Sequence, residues 1–252
     1  MPNPFRTSNP ALSEKAFQGA AGAGVGIGEA MTVQGTVNKT GVLLLCVIAT
    51  SAWTWGLSHS PQPESAMPWM IGGVFGGLIA ALATIFKPNW APITAPLYAL
   101  LEGLFLGGIS AVLDKSYPGI AFHAIGLTFG VLAVMLVAYK TGTIRVTQNF
   151  KLGVIAATGG IALFYLAEMV LGFFHIAVPA INGSGIIGIG FSLFVVVIAA
   201  LNLVLDFDMI ETGARMNAPR YMEWYGAFGL MVTLVWLYLE MLRLLSKLQR
   251  RN

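Results

Sequence analysis

Long apolar stretches alternate with short polar ones along most of the chain. Seven of these stretches contain about 18–23 residues each, the length that a helix needs to cross about 30 Å of hydrocarbon. They are apolar on all sides, which favours membrane-spanning helices over the alternating strands of a barrel. The pattern therefore predicts an all-α polytopic membrane protein with spans at Thr40–Leu57, Pro68–Phe86, Ala91–Leu113, Gly119–Tyr139, Leu152–Phe174, Gly185–Asp206 and Tyr225–Leu245.

The region before the first span has a different composition. Residues 1–37 form a polar and then Gly/Ala-rich leader, and residues 38–252 form the seven-helix transmembrane domain. The glycine-rich stretch Gly22–Gly28 is similar to a dinucleotide-binding loop, but no predicted strand precedes it, so we interpret it as a linker. The leader shows no pattern of a cleaved secretory signal, which makes the first apolar run a permanent span.

Composition excludes several classes of function. Hydrophobic residues make up 56% of the chain and charged residues only 10%, which does not fit a soluble domain. A formal charge of +3 is too small to indicate nucleic-acid binding. The lone Cys46 rules out an internal disulfide, and the three scattered histidines do not have the spacing of a metal site. No catalytic motif is present, so we expect neither an enzyme nor a bound cofactor.

Lysine and arginine placement predicts the orientation. If the N-terminus is cytoplasmic, nine basic residues before the last span lie inside and only Lys115 lies outside. Seven crossings would nevertheless leave the basic C-terminal tail, with Lys247, Arg250 and Arg251, on the outside. Either the last segment does not cross fully, or the earlier loops fix the orientation and the tail is tolerated; we favour the second explanation.

Small residues recur at four-residue spacing within the second and third spans. Gly72–Gly73 and Gly76–Gly77 repeat in the second span, and Gly103 and Gly107 in the third. This pattern is typical of helices that approach closely in lipid. We therefore interpret these glycines as packing surfaces without chemistry.

Four acids interrupt the apolar runs, namely Glu102, Glu168, Asp206 and Glu240. An ionisable group at membrane depth is a functional-site hypothesis by default. Asp206 lies at the inner end of the sixth span, whereas Glu240 lies about 22 Å into the returning seventh span at about 1.5 Å per residue. Direct contact between them is therefore not expected. Glu240 either pairs with Arg243 one helical turn on or belongs to a conduction path.

Asp206 is the leading candidate among the acids. It follows the apolar run that ends at Leu205, and Asn202 lies one turn before it on the same face. A carboxylate there loses hydration, which favours the protonated form unless a cation or a donor compensates. Such a group can bind a proton or Ca²⁺ in competition. Asp208 faces another side, and we interpret it chiefly as a solvated loop acid.

Several stretches carry a resemblance to a known family. They are Glu102–Ser110, Leu203–Asp206 followed fifteen residues later by Tyr221, Ala227–Leu230 running to Leu242–Leu245, and the leader stretches Asn9–Phe17 and Met31–Gly41. On these residues the chain resembles the Bax inhibitor family, also called the transmembrane Bax inhibitor motif family, and its YccA-like bacterial branch. The resemblance implies a seven-helix bundle with a central last helix, located in a bacterial inner membrane.

The resemblance also implies a function. Family members are similar to pH-sensitive calcium leak channels in which two aspartates, on the sixth and seventh spans, share a proton or a cation. Asp206 matches the first aspartate, and by spacing the second falls at Thr233. A lone Asp206 beside a hydroxyl should titrate more simply and bind Ca²⁺ more weakly than a pair of acids. Glu240, seven residues after Thr233 on the same face, offers a replacement acid.

Two functions follow from these observations. The first is a leak channel or transporter for Ca²⁺ or H⁺. In this function Asp206 senses protons, and Glu102 and Glu240 are polar groups along the route of the ion. Arg243 or Lys87 is the charge-pairing partner that holds the closed state. The second is a non-conducting regulator that binds other membrane proteins, such as a quality-control protease. Its working surface would be the leader and the predicted loop Phe207–Trp224.

Overall fold

The computed structural model describes residues 30–174, 181 and 183–251. The leader up to residue 29, including Gly22–Gly28, and His175 lie outside the described residues. Seven membrane-length helices occur in the described part, which confirms the all-α polytopic class. They are α1 (Val33–Ser58), α2 (Met67–Phe86), α3 (Ala91–Ser116), α4 (Ile120–Lys140), α5 (Gln148–Phe173), α6 (Ile186–Arg215) and α7 (Met222–Arg251), with 3₁₀ turns at Pro63–Ala66 and Pro88–Trp90.

Polar residues and glycine set the beginnings of several helices. The hydroxyl of Thr32 accepts a hydrogen bond of 2.9 Å from the backbone N–H of Gly35, and Thr147 caps α5 in the same way. Such caps satisfy an amide that has no partner within the helix. Gly119, directly before α4, has a φ of 85°, a left-handed conformation that glycine adopts without steric cost. The apolar runs therefore become helices with defined starts.

The described helices differ most from the predicted spans at two ends. Helix α1 begins at Val33, within the stretch assigned to the leader. Helix α6 continues to Arg215, so the prediction of a long loop at Phe207–Trp224 is wrong: the connection covers only residues 216–221. The polar residues after Asp206 suggested a loop, but they remain helical because neighbouring helices supply partners for them. Asp206 accordingly lies nine residues before the end of α6.

Helix α7 lies at the centre of the bundle, as the resemblance implies. In an apolar stretch of 18 residues within α7, 61% of the residues are buried, the largest share among the seven described helices. Helix α7 packs against α1, α3, α4 and α6. Its fully buried Tyr225 and Phe228 belong to the core. Helix α5 is peripheral and packs chiefly on α6. Helix α7 is therefore the most buried of the seven described helices.

The glycines of α3 allow close helix contacts, as their spacing predicts. A Cβ atom added to Gly103 would lie 2.1 Å from Thr50 Oγ1, and one added to Gly107 would lie 2.2 Å from the carbonyl oxygen of Ser51. Both neighbours belong to α1. A side chain at either glycine would force α1 and α3 apart, so these positions serve packing.

One end of the bundle is defined by contacts between helix termini. The N–H of Met31, just before α1, donates a hydrogen bond of 2.6 Å to the carbonyl of Ala218 between α6 and α7. Lys151 in the first turn of α5 contacts Asp208 near the end of α6. We call this the N-terminal end of the bundle. The opposite end, where α1 finishes and α6 begins, is the far end.

Candidate functional site

Asp206 and Thr233 meet where α6 crosses α7. Thr233 Oγ1 donates a hydrogen bond of 2.5 Å to Asp206 Oδ2. Both side chains are buried, and Asp206 has an exposed fraction of 0%. The threonine is thus the partner that spacing placed opposite the sixth-span acid. A hydroxyl at this distance stabilises the ionised carboxylate, because short O–H···O⁻ bonds are among the stronger ones in proteins.

Asn202, one turn before Asp206, connects α6 to a different helix. Its side-chain amide donates hydrogen bonds of 2.8 Å to Thr158 Oγ1 on α5 and 2.9 Å to the carbonyl of Ile198. Consecutive polar residues of α6 therefore bind α5 and α7 in turn. This arrangement fixes the rotation of α6 and with it the direction of the Asp206 side chain.

The expectation of a solvated loop acid at Asp208 is wrong. Its Oδ2 lies 2.7 Å from Lys151 Nζ, and the two side chains are 18% and 6% exposed. The pair forms because α6 continues as a helix past Asp206 and carries Asp208 against the first turn of α5. One turn further on, Glu211 accepts a hydrogen bond from Tyr139 of α4 and lies 3.8 Å from Arg215. Polar contacts therefore hold the last turns of α6 against α4 and α5.

Glu240 forms a separate site, towards the far end of α7. Its Oε1 accepts a hydrogen bond of 2.9 Å from the hydroxyl of Tyr165 on α5 and lies 3.6 Å from Arg243, the neighbour one turn on. The Arg243 guanidinium also lies 4.7 Å from the centre of the Tyr165 ring. Glu240 is 2% exposed, and its Oε2 has no hydrogen-bond partner among the described residues.

The structure does not bring Glu240 to Asp206. Glu240 is seven residues beyond Thr233, which places it about 10 Å further along the helix axis. The side-chain contact with Asp206 therefore belongs to Thr233, and Glu240 lies at another level of the bundle.

Glu102 lies apart from both sites, on α3. It lines a cavity of about 370 Å³ between α2, α3 and α7, together with Tyr98 and Phe228. A Cβ atom added to Gly77 would lie 3.1 Å from Glu102 Oε2, so the glycine leaves room for the carboxylate. The side chain is half-buried, and no hydrogen bond or ion pair holds it within the described part of the chain.

The two cations proposed as charge partners have different positions. Arg243 contacts Glu240, as described above, rather than Asp206. Lys87 is exposed after α2, and its ammonium lies 4.2 Å from the centre of the Trp90 ring. Glu168 is half-buried on α5, three residues after Tyr165. Among the described residues no three His, Cys, Asp or Glu side chains are close enough to hold a metal ion.

Two further buried charged residues, Lys247 and Glu223, were not predicted from the sequence. Lys247, near the end of α7, is 6% exposed and donates to the carbonyls of Ile181 and Gly188 and to Ser192 Oγ. Glu223, in the first turn of α7, accepts from Thr32 and forms an ion pair with Lys39. Lys247 could have been found from the seven-residue interval that places it on the Glu240 face. Glu223 showed no such signal, because its partners are on α1.

Comparison with known protein families gives a match over most of the chain. A model of the family described as Bax inhibitor 1 like matches residues 4–250, which include every site residue above and all seven helices except the last residue of α7. No curated protein matches the chain.

Proposed function

Since this chain belongs to the Bax inhibitor 1 like family, we propose that it is a pH-sensitive leak channel or transporter for Ca²⁺ or H⁺. The observation that carries the proposal is the fully buried Asp206, which is hydrogen-bonded at 2.5 Å to Thr233 on the neighbouring helix. A carboxylate is expensive to keep at membrane depth, so its presence favours a role in handling protons or cations.

The Asp206–Thr233 contact supports a closed state at neutral pH. When Asp206 is ionised, the threonine hydroxyl donates a charge-assisted bond that holds α6 against α7. Protonation removes the negative charge and weakens this bond, since neutral pairs are roughly half as strong. The helices are then free to separate at this level, and flux rises as the pH falls. The pathway is thus gated by a carboxylate and a hydroxyl rather than by two acids.

Other buried polar groups support a route for a cation. Glu102 faces a cavity beside α7. Glu240, about 10 Å beyond Thr233, has one oxygen without a hydrogen-bond partner among the described residues. Oxygen ligands are the ones that Ca²⁺ prefers. Because these acids are dispersed, each would hold a passing ion weakly, as conduction requires. In this proposal Ca²⁺ or H⁺ is the transported ion, and the chain performs no catalysis.

The location belongs to the same proposal. Basic residues are in excess in the connecting segments at the N-terminal end of the bundle, which supports a cytoplasmic N-terminus. The leader resemblance to the YccA-like branch supports a bacterial inner membrane. In that orientation Asp206 lies towards the cytoplasmic half of the bundle and Glu240 towards the outer half.

Flux measurements on purified protein test the proposal. The full chain is reconstituted into liposomes, and Ca²⁺ and H⁺ entry are measured from mildly acidic to neutral pH. Asp206→Asn should raise the flux at neutral pH and remove its pH dependence, and Thr233→Val should raise it as well. Thr40→Val is the matched control, because the buried Thr40 hydroxyl bonds only to Thr36 within its own helix. Unchanged flux in Asp206→Asn would overturn the gating mechanism.

The adaptor alternative makes a different prediction for the leader. A conducting protein should keep its flux when residues 1–29 are deleted, whereas an adaptor should lose its membrane partner. The adaptor surface was also expected to include a loop at Phe207–Trp224. Little of this loop is present, because most of Phe207–Trp224 is helical and Ala218 is buried against Met31. This observation favours the conducting function.

A further inference from the structure

A cavity unrelated to the buried acids lies in the far half of the bundle. It has a volume of about 450 Å³, within the usual range of ligand sites of about 300–1,000 Å³. Helices α1 and α4 form its two sides, and α3 and α7 form its floor. We propose that this groove binds one acyl chain of a phospholipid from the leaflet at the far end of the bundle.

The groove is lined almost entirely by apolar side chains. Those of Ile48, Ile125 and Phe129 are exposed at its entrance, while Met231 and Leu234 on α7 are buried at its floor. In a membrane the exposed entrance faces hydrocarbon rather than water. The groove therefore opens sideways to the lipid and leads inwards to the central helix.

The hydroxyl groups that line the groove already have partners. Ser51 Oγ donates to the carbonyl of Gly103 at 2.9 Å, and Thr128 Oγ1 donates to the carbonyl of Ala124 at 2.8 Å. Ser110 Oγ and the Tyr238 hydroxyl lie 2.7 Å apart and bond to each other. A polar ligand would have to break these bonds, whereas an acyl chain needs no donor or acceptor. The chemistry of the lining thus selects a hydrocarbon chain.

The length of the groove matches one leaflet. On α1 it extends from Leu44 to Trp55, an interval of eleven positions that spans about 16 Å at about 1.5 Å per residue. Half of the hydrocarbon core of a bilayer is about 15 Å thick. An acyl chain that starts at the membrane interface of the far end would accordingly reach the other end of the groove, at Leu44, near the membrane midplane.

The far end of the groove has the features of a membrane interface. Trp55 and Phe122 close it from the two sides, with ring centres 6.3 Å apart in an edge-to-face arrangement. Beyond them Lys115 is exposed and donates a hydrogen bond of 2.7 Å to the carbonyl of Ser58. The neighbouring acid, Asp114, accepts from the N–H of Gly119. The lysine ammonium is placed to meet a lipid phosphate, and aromatic rings are enriched at this depth.

Photo-crosslinking distinguishes a bound chain from bulk lipid. The full chain is reconstituted with a phosphatidylglycerol that carries a diazirine in the middle of one acyl chain, and labelled peptides are identified by mass spectrometry. Bulk lipid reaches the exposed α2 face at Phe75 and Ile79 but not the buried floor residues Met231 and Leu234. Labelling of α7 between residues 231 and 238 is therefore the expected result, and its absence would overturn the proposal.

A pair of matched variants locates the site. Ala52 is exposed and lines the groove, whereas Ala49 is exposed on the same helix but does not line it. Ala52→Trp should reduce α7 labelling to background while α2 labelling persists, which also shows that the variant is folded. Ala49→Trp should leave both signals unchanged. Equal α7 labelling in the two variants would place the lipid elsewhere and contradict the proposal.

Two further outcomes would assign another occupant. Labelling of α7 by a diazirine fatty acid, with none by the phospholipid, would contradict a phospholipid site. A crosslink joining α7 to a second copy of the chain would show a protein interface instead. Lys115→Gln should weaken α7 labelling by phosphatidylglycerol if the phosphate lies at the far end, and a labelling yield equal to that of the wild type would overturn that placement.

Discussion

The ammonium of Lys247 donates a hydrogen bond of 2.8 Å to the hydroxyl of Ser192, which joins the last turns of α7 to the first turns of α6. The carbonyls of Ile181 and Gly188 accept further bonds at 2.7 Å and 3.1 Å. Ser192 lies about 21 Å along α6 from Asp206, at about 1.5 Å per residue. The two helices are thus fixed to each other at two levels, one by a buried cation and one by a buried carboxylate.

Lys247→Met should destabilise the far end of the α6–α7 pair. The substitution provides an apolar side chain of similar length but removes the donor from three acceptors, two of them in buried contacts, and a buried group left unsatisfied costs about 1–3 kcal/mol. Denaturant unfolding in mixed micelles measures the loss in the free energy of unfolding. Lys140→Met is the control, because Lys140 is exposed at the end of α4. Equal stability of the two variants would contradict this account of Lys247.

Thr233→Asp should move the rise of flux on acidification towards lower pH. The new carboxylate would face Asp206 at hydrogen-bonding distance, and two such acids cannot both ionise cheaply, so they share one proton. The shared proton forms a charge-assisted bond like that of the wild type, and a second proton is needed to remove it, so the closed state persists to lower pH. Flux into liposomes across the pH range measures the shift, with Thr233→Ser as the control that keeps the hydroxyl. Superimposable profiles for Thr233→Asp and the wild type would rule this out.

Tyr165→Phe should weaken the contact between α5 and α7. The change removes the donor to Glu240 Oε1 and leaves a buried carboxylate with one hydrogen bond fewer, at a cost of about 1–3 kcal/mol. In a Glu240→Leu background the same change should cost much less, since no acceptor remains. A double-mutant cycle on unfolding free energies measures the coupling. Additive effects would show that the hydrogen bond contributes nothing to stability.

The Lys151–Asp208 pair should tolerate exchange of its charges. Reversing one partner alone places two like charges in a largely buried contact, and breaking a buried pair typically costs about 3–5 kcal/mol. Combining Lys151→Asp with Asp208→Lys restores opposite charges and should recover much of the loss in unfolding free energy. The contact would be unimportant if the double variant were no more stable than the two single ones.

Glu223→Ala should loosen the start of α1. Glu223 accepts hydrogen bonds from the backbone N–H and the hydroxyl of Thr32 and pairs with Lys39. Without these contacts, amide hydrogen exchange at residues 31–36 should become faster, while the middle of α1 remains protected. Glu64→Ala is the control, since Glu64 is exposed in the 3₁₀ turn between α1 and α2. Identical exchange in both variants would contradict the anchor.

The position of Asp206 shows why sequence reasoning reached part of the site. The apolar run before it identified Asp206, and the family resemblance identified its partner Thr233. The same reasoning ended α6 at Asp206, because the following residues are polar. Those residues remain helical owing to partners on α4 and α5, namely Tyr139 for Glu211 and Lys151 for Asp208, which no local pattern reveals.

The sequence by itself determined the number of spans, the helical class and the acids that need an explanation, because burial in lipid imposes long apolar runs and makes charges within them conspicuous. Only the tertiary structure decided which partners the buried charged side chains have. Lys247 bonds to α6, Glu240 to α5 and Glu223 to α1, because each helix is rotated and displaced by the packing of all its neighbours. Such pairings depend on side chains that are close in space and distant in the chain.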